Sequence, residues 1–402
     1  MVIRYLLADA LSLFGNAVAA VALPWLVLVR TGDAAAAGVI AAAAALPVLA
    51  AAVIGGWVID RVGRRRISVG ADLASAASIA ALPLVDASVG LTLTWFIVLG
   101  VAGALFDVPG MTAREALGPD VARAAGVSLE RLAGLREGIS GAVLIAGPAA
   151  AGGLMVLVDP VTVLWATAAC SALAAAVTAT LPAGVGASTT GSSGRLSDIG
   201  AGWAVVRADP LLVTVTLVSV GAVAVIAPLQ GLLLPVHLVA QDAPGALGLT
   251  ITAIAVGGIA GAGLYAGLGA RASRRLVFVL ALLVVTGGMV GLALLPPTPL
   301  LLTAAALVGL GMGPLSAMTS VLVVERIPDD VRGRVMGLQN AAVLSVAPAG
   351  LLGAGLLIEG VGVATTGMLM AGAWLVVAAA TLLAPALRTL ERQEVAPGAD
   401  DR

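Results

Sequence analysis

Gly56-Trp57-Val58-Ile59-Asp60-Arg61-Val62-Gly63-Arg64-Arg65-Arg66 ends one long apolar run, 34–58, and leads into the next, 67–85. Four of the six residues from Arg61 to Arg66 are arginine. Such a cluster cannot enter hydrocarbon, so the chain turns in water here. The runs on either side are long enough to cross a bilayer, which needs about 20 apolar residues.

Working outward from this turn, the whole chain reads as alternating apolar runs and short polar breaks. Of its 402 residues, 60% are hydrophobic and 11% charged. A soluble domain carries roughly 25% charged residues, so an ordinary globular protein is excluded. Twelve runs emerge, at 5–29, 35–58, 67–85, 91–113, 137–158, 161–182, 210–236, 247–269, 276–296, 299–323, 336–358 and 363–386. Backbone groups in lipid must be satisfied internally, so these runs are expected to be helices. The first run is longer than a signal-peptide core, and it is read as a span.

Arginine placement sets the expected orientation. With the N-terminus in the cytoplasm, every basic residue except Arg30 lies on the cytoplasmic side. All 21 basic residues are arginine. Net charge is −1, which gives no reason to expect nucleic acid as a partner. Cys170, the single cysteine, lies in an apolar run and reads as packing.

The longest polar stretch, 183–209, is rich in Gly, Ser and Thr and reads as a cytoplasmic linker between residues 1–182 and 210–387, with a tail at 388–402. Residues 196–207 could form an amphipathic surface helix. The halves echo each other. Arg64-Arg65-Arg66 after the second run matches Arg271–Arg275 after the eighth, Pro119-Asp120 matches Pro328-Asp329, and Pro148 matches Pro348. Such echoes point to duplicated bundles around a pathway.

Gly56-x-x-x-Asp60-Arg61-x-Gly63-Arg64-Arg65 resembles the loop 2–3 motif of the major facilitator superfamily. The branch is similar to the drug:proton antiporters that include macrolide-efflux and Tap-type multidrug exporters. That resemblance rests on Ala22–Val27, Met111–Arg114, Leu117–Asp120 and Ile327–Gly337. Gly147-Pro148 and Gly152-Gly153 resemble the antiporter motif of the fifth span, with three alanines between them where two residues are usual. The resemblance implies an all-α integral membrane protein of twelve transmembrane helices in two pseudo-symmetric six-helix bundles. It implies a monomeric secondary transporter in the bacterial cytoplasmic (inner) membrane, both termini cytoplasmic, exchanging amphipathic small molecules for protons. Export of an endogenous metabolite, siderophore or lipid on the same fold stays open, and a membrane sensor or intramembrane enzyme is a remoter alternative.

The resemblance also assigns roles. Gly56 and Gly63 would permit close packing and a tight turn. Asp60 would sit at the positive N-terminal end of span eleven, and Arg64 would pair with Asp120, with Arg61 in the same gating loop. Gly147, Pro148, Gly152 and Gly153 read as a helix-packing surface between bundles or as ordinary close packing.

Acids within spans are costly and usually face a cavity. Asp107, deep in span four, is the first choice for a proton carrier; its other reading is an acid that fixes helix packing. Asp9, on one helical face with Asn16, and Glu137, beside Arg136, are further candidates, or solvated and ion-paired interfacial residues. Asp72 could pair with a loop arginine. Asn16, Ser140, Gln230, Gln339 and Asn340 are the polar residues expected around a mostly aliphatic substrate cavity. His237 could sense external pH or be incidental. Without a lysine there is no P-loop, and no metal cluster, cofactor site or hydrolase triad is apparent in the sequence, so an enzyme is not expected.

Overall fold

The computed structural model describes residues 1–182, 184–186, 206–268, 273–327 and 329–390; of residues 45–57, 60, 268, 323–324, 329–334, 336–338, 340–341, 344 and 388–389 it describes the backbone alone. The long helices are α1 (Val2–Thr31), α2 (Ala34–Val62), α3 (Arg64–Ser88), α4 (Leu93–Ala125), α5 (Leu129–Leu157), α6 (Pro160–Ala179), α7 (Pro210–Val239), α8 (Pro244–Leu268), α9 (Arg274–Ala293), α10 (Thr298–Arg326), α11 (Asp329–Val361) and α12 (Val363–Leu383). Among the described residues, ten are long and apolar enough to cross a membrane. In the other two, α2 and α11, apolar stretches were found at Ala34–Ala44 and Ser345–Val361 among the described residues. The linker centre, 187–205, with most of the expected surface helix, lies outside the described residues; residues 206–208 at its end are helical.

Local signals set the helix ends. Asp33, Ser128, Asp159, Asp209 and Ser273 each accept a hydrogen bond from a backbone amide of the following first turn, which needs an acceptor. Gly63 ends α2 and starts α3 at φ 99°, a conformation that a side chain would strain. Pro228 is followed by a wide π turn, Leu229–Leu233, within α7.

Helices α1–α6 pack chiefly on one another, as do α7–α12, giving two six-helix bundles. The bundles meet where α2 packs on α11 and α5 on α8. We call the end bearing Arg61–Arg66 the arginine end and the opposite one the far end. At the far end the contacts are backbone on backbone. A Cβ on Gly38 would lie 2.8 Å from the Leu351 carbonyl oxygen, and one on Gly355 3.0 Å from Ala35 Cα. A Cβ on Gly152 would lie 2.9 Å from Gly248 Cα. Asp33, which caps α2, is hydrogen-bonded to Glu359 of α11, and this bond holds its carboxyl below the ordinary value.

Towards the arginine end α5 and α8 part. Thr252 donates to the Ile145 carbonyl at 3.1 Å, and a Cβ on Gly141 would still meet Ile259 at 3.6 Å. A Cβ on Gly134, Gly138, Gly263 or Gly267 would meet nothing within 4 Å. Along this seam the bundles are closed at the far end and open at the arginine end.

Candidate functional site

The polar interior of the first bundle comes from residues at helical spacing. Tyr5, Asp9, Ser12 and Asn16 share one face of α1, and Ser68, Asp72 and Ser75 one face of α3. Asp107, Met111 and Arg114 do the same on α4. Arg136 adds a cation from α5.

These side chains form two charged clusters. Arg114, 3% exposed, pairs with Asp72, which also accepts from Ser12 at 3.1 Å. Nearer the arginine end, Arg136 donates from Nε to Asp9 at 3.0 Å and from Nη1 to Glu115 at 3.0 Å. Tyr5 links the two, its hydroxyl donating to the Arg114 carbonyl at 3.1 Å. Beyond Asp72, Ser75 and Asp107 lie together in the wall of a cavity of about 320 Å³, with Asn16, Phe96, Leu99 and Met111.

Several sequence expectations are corrected here. Arg114 and Arg136 are helical and paired with acids inside the first bundle, because α4 and α5 run well past the apolar segments. Asp9 is 2% exposed rather than solvated. Arg136 spends its guanidinium on Asp9 and Glu115, whereas Glu137 is exposed and forms no ion pair with a described residue. Asp72 pairs with a buried arginine rather than a loop one. Of the five polar residues expected around a substrate cavity, Asn16 lines this first-bundle one, and Gln339 donates to Thr216 at 2.8 Å. The side chain of Asn340 lies outside those described. His237 sits 2.7 Å from Gln241.

At the loop between α2 and α3, Arg64 donates to Asp120 at 2.8 Å. Both residues belong to the first bundle, so this bond fixes α3 to α4 and does not itself bridge the bundles. Arg65 donates to the Thr178 and Ala179 carbonyls at the end of α6, where a cation is favoured by the helix dipole. The side chain of Asp60, residue Gly56 beyond its backbone, and the side chains at the start of α11 lie outside the described residues, and Arg61 is exposed. In α5, a Cβ on Gly147 would collide with Ala17 of α1, Gly152 and Pro148 pack on Gly248 of α8, and Gly153 faces open space.

Tyr5, Ser12, Ser75, Arg114 and Arg136 were not singled out from the sequence. The spacing of Tyr5, Asp9, Ser12 and Asn16 is the signal that could have found the first two.

The sequence matches the Major Facilitator Superfamily over residues 5–242 and 228–400. It is 35% identical over 401 residues to the multidrug efflux pump Tap of Mycobacterium tuberculosis (strain ATCC 25618 / H37Rv), covering 98% of this chain and 95% of that one. It is 33% identical over 383 residues to the multidrug efflux pump Tap of Mycolicibacterium fortuitum, covering 94% of each. The fold is similar to that of a mutant form of the nucleoside transporter NupG, with a TM-score of 0.80 at 13% identity over 95% of this chain and 98% of that one.

Proposed function

Because the chain belongs to the major facilitator superfamily, and is thus a multi-pass membrane transporter rather than an enzyme, we propose that it exports drug-like amphipathic molecules in exchange for protons. One observation carries the coupling: acids run in a line from the cavity to the arginine end, through Asp107 with Ser75, Asp72 with Ser12, and Asp9. Asp107 is the carrier, because it alone of these acids faces the cavity and lacks a described arginine partner. Arg114 and Arg136 hold Asp72 and Asp9 in place, so those acids position the route and pass the proton on. The arginine end faces the cytoplasm of a bacterial cell, with both termini on that side, as the placement of positive charge supports. The protein works as a monomer by alternating access, and the open seam between α5 and α8 supports entry of cargo from the cytoplasm.

Proteoliposomes holding ethidium and a pH gradient test this reading. Ethidium export should dissipate the gradient, and a protonophore should stop it. Asp107→Asn should slow gradient-driven export at least about a hundredfold, the lower end of the scale of a lost acid–base group. Unimpaired, gradient-driven export by Asp107→Asn would remove Asp107 from the role.

The loop from Gly56 to Arg66 is the gate. Its Asp60 binds the start of α11 when the arginine end closes, while Arg64 and Asp120 hold the loop in register. That pair is partly exposed, so Asp120→Asn should cost no more than about 1 kcal/mol. It should nonetheless raise thiol access at cysteines placed along the arginine end of α5, read in a Cys170→Ser background. Unchanged access would remove Asp120 from the gate.

A further inference from the structure

The second bundle holds a cavity of its own, about 250 Å³, among α7, α9, α10, α11 and α12. No charged residue is among the described residues that line it. Its polar lining is hydroxyl: Ser219, Ser316, Thr319 and Ser320, with Phe278 and Trp374 buried in the wall behind.

Most of these hydroxyls already have a use for their protons. Ser219 donates to the Val215 carbonyl at 2.9 Å, Thr319 to Leu315 at 2.8 Å and Ser320 to Ser316 at 3.1 Å. A hydroxyl carries one donor and two acceptor sites. With the donor spent on its own helix, each of the three offers the cavity an acceptor. Trp374, too, has its N–H committed, to Thr286 at 3.1 Å. The site thus offers lone pairs and apolar surface, which suits a ring bearing N–H or O–H donors. Its volume fits a fused-ring fragment and falls below the roughly 300–1,000 Å³ of a whole drug site.

The first-bundle cavity has the carboxyl of Asp107 in its lining, whereas the described lining of this one carries hydroxyls and no carboxylate.

We propose that the second-bundle cavity is a substrate subsite that takes the hydrogen-bond-donating ring of the cargo, so that protons are handled in one bundle and cargo in the other. This rests on the export reading above.

The test uses the full chain in lipid nanodiscs and two probes. Ethidium carries two aromatic amines; tetraphenylphosphonium is a cation with apolar rings and no donor. Thr319→Val keeps the side-chain shape and removes the acceptor. Ethidium binding should weaken about fivefold, the effect of one hydrogen bond, while tetraphenylphosphonium binding stays unchanged. In a Cys170→Ser background, ethidium should also slow alkylation of Ser316→Cys severalfold. Unaltered ethidium binding together with no protection at Ser316→Cys would overturn the subsite and leave the export reading standing. Equal loss of both probes in Thr319→Val would overturn the donor preference, because it reports disturbed packing. A wild-type protein that neither binds nor exports either probe would overturn the export reading, and the subsite with it.

Discussion

Arg114→Met is expected to cost about 3–5 kcal/mol of stability, the largest single effect in the molecule, because it strands a buried acid. Arg114 and Asp72 are both nearly inaccessible, and Ser12 is the other described hydrogen-bond partner of Asp72. Water cannot replace the lost guanidinium. The sign is informative because the pair itself need not be stabilising. Taking two charges from water is costly, and a well-packed apolar pair often does as well. The double variant Arg114→Met/Asp72→Leu should therefore regain most of the lost stability, although proton-coupled export should remain abolished. Thermal unfolding of the purified protein, followed by tryptophan fluorescence, measures the first effect, and proteoliposome flux the second. A single variant as stable as the wild type would show that Asp72 does not need its cation. A double variant that exports normally would remove the pair from the proton route.

The second large effect is expected at the far end. A Cβ on Gly248 would lie 2.8 Å from Gly152 Cα and would also meet the Pro148 carbonyl oxygen. These are backbone atoms, with no rotamer to yield. Overpacking of this kind costs about 1–3 kcal/mol, and Gly248→Leu should reach the top of that range. Both sides of the seam cannot keep their present spacing, so the cost falls on the closed far end. The variant should populate far-end-open molecules, seen as faster alkylation of cysteines placed near Gly153, and export should fall by up to about a hundredfold. Gly153→Ala is the control, since nothing lies within 4 Å of its Cβ. Equal behaviour of the two variants would show that the α5–α8 contact does not govern closure.

What the sequence conveyed depended on whether a signal was local. Apolar run length is local, and each run falls on one helix, although α4 and α5 extend well past theirs. The turn at Gly63 is local too, needing only a glycine between two helices. The pairing of Arg114 was not legible because its partner Asp72 lies 42 residues away, and that of Arg136 because Asp9 lies 127 away. A hydropathy count registers the charge and not the counter-charge that lets it be buried. The partnership of Gly152 with Gly248 was hidden differently: in a chain with 51 glycines, neither stands out. The hydroxyls of the second cavity were hidden by their chemistry. A serine bonded to its own helix looks, in sequence, like any other serine in an apolar run.

The contact between Gly152 and Gly248 also has a mechanical consequence. Leu129, at the other end of α5, stands 23 residues away, about 35 Å along the axis at 1.5 Å per residue. Two backbones touching without intervening side chains make a stiff fulcrum, and the rest of α5 is a long lever arm. A rigid-body tilt of about 15° about that point would swing the far tip of the arm by about 9 Å, wide enough to admit a polycyclic molecule. Little work is then needed at the pivot to produce a large stroke, and a single added methyl group at the fulcrum is felt, magnified, across the whole width of the bilayer.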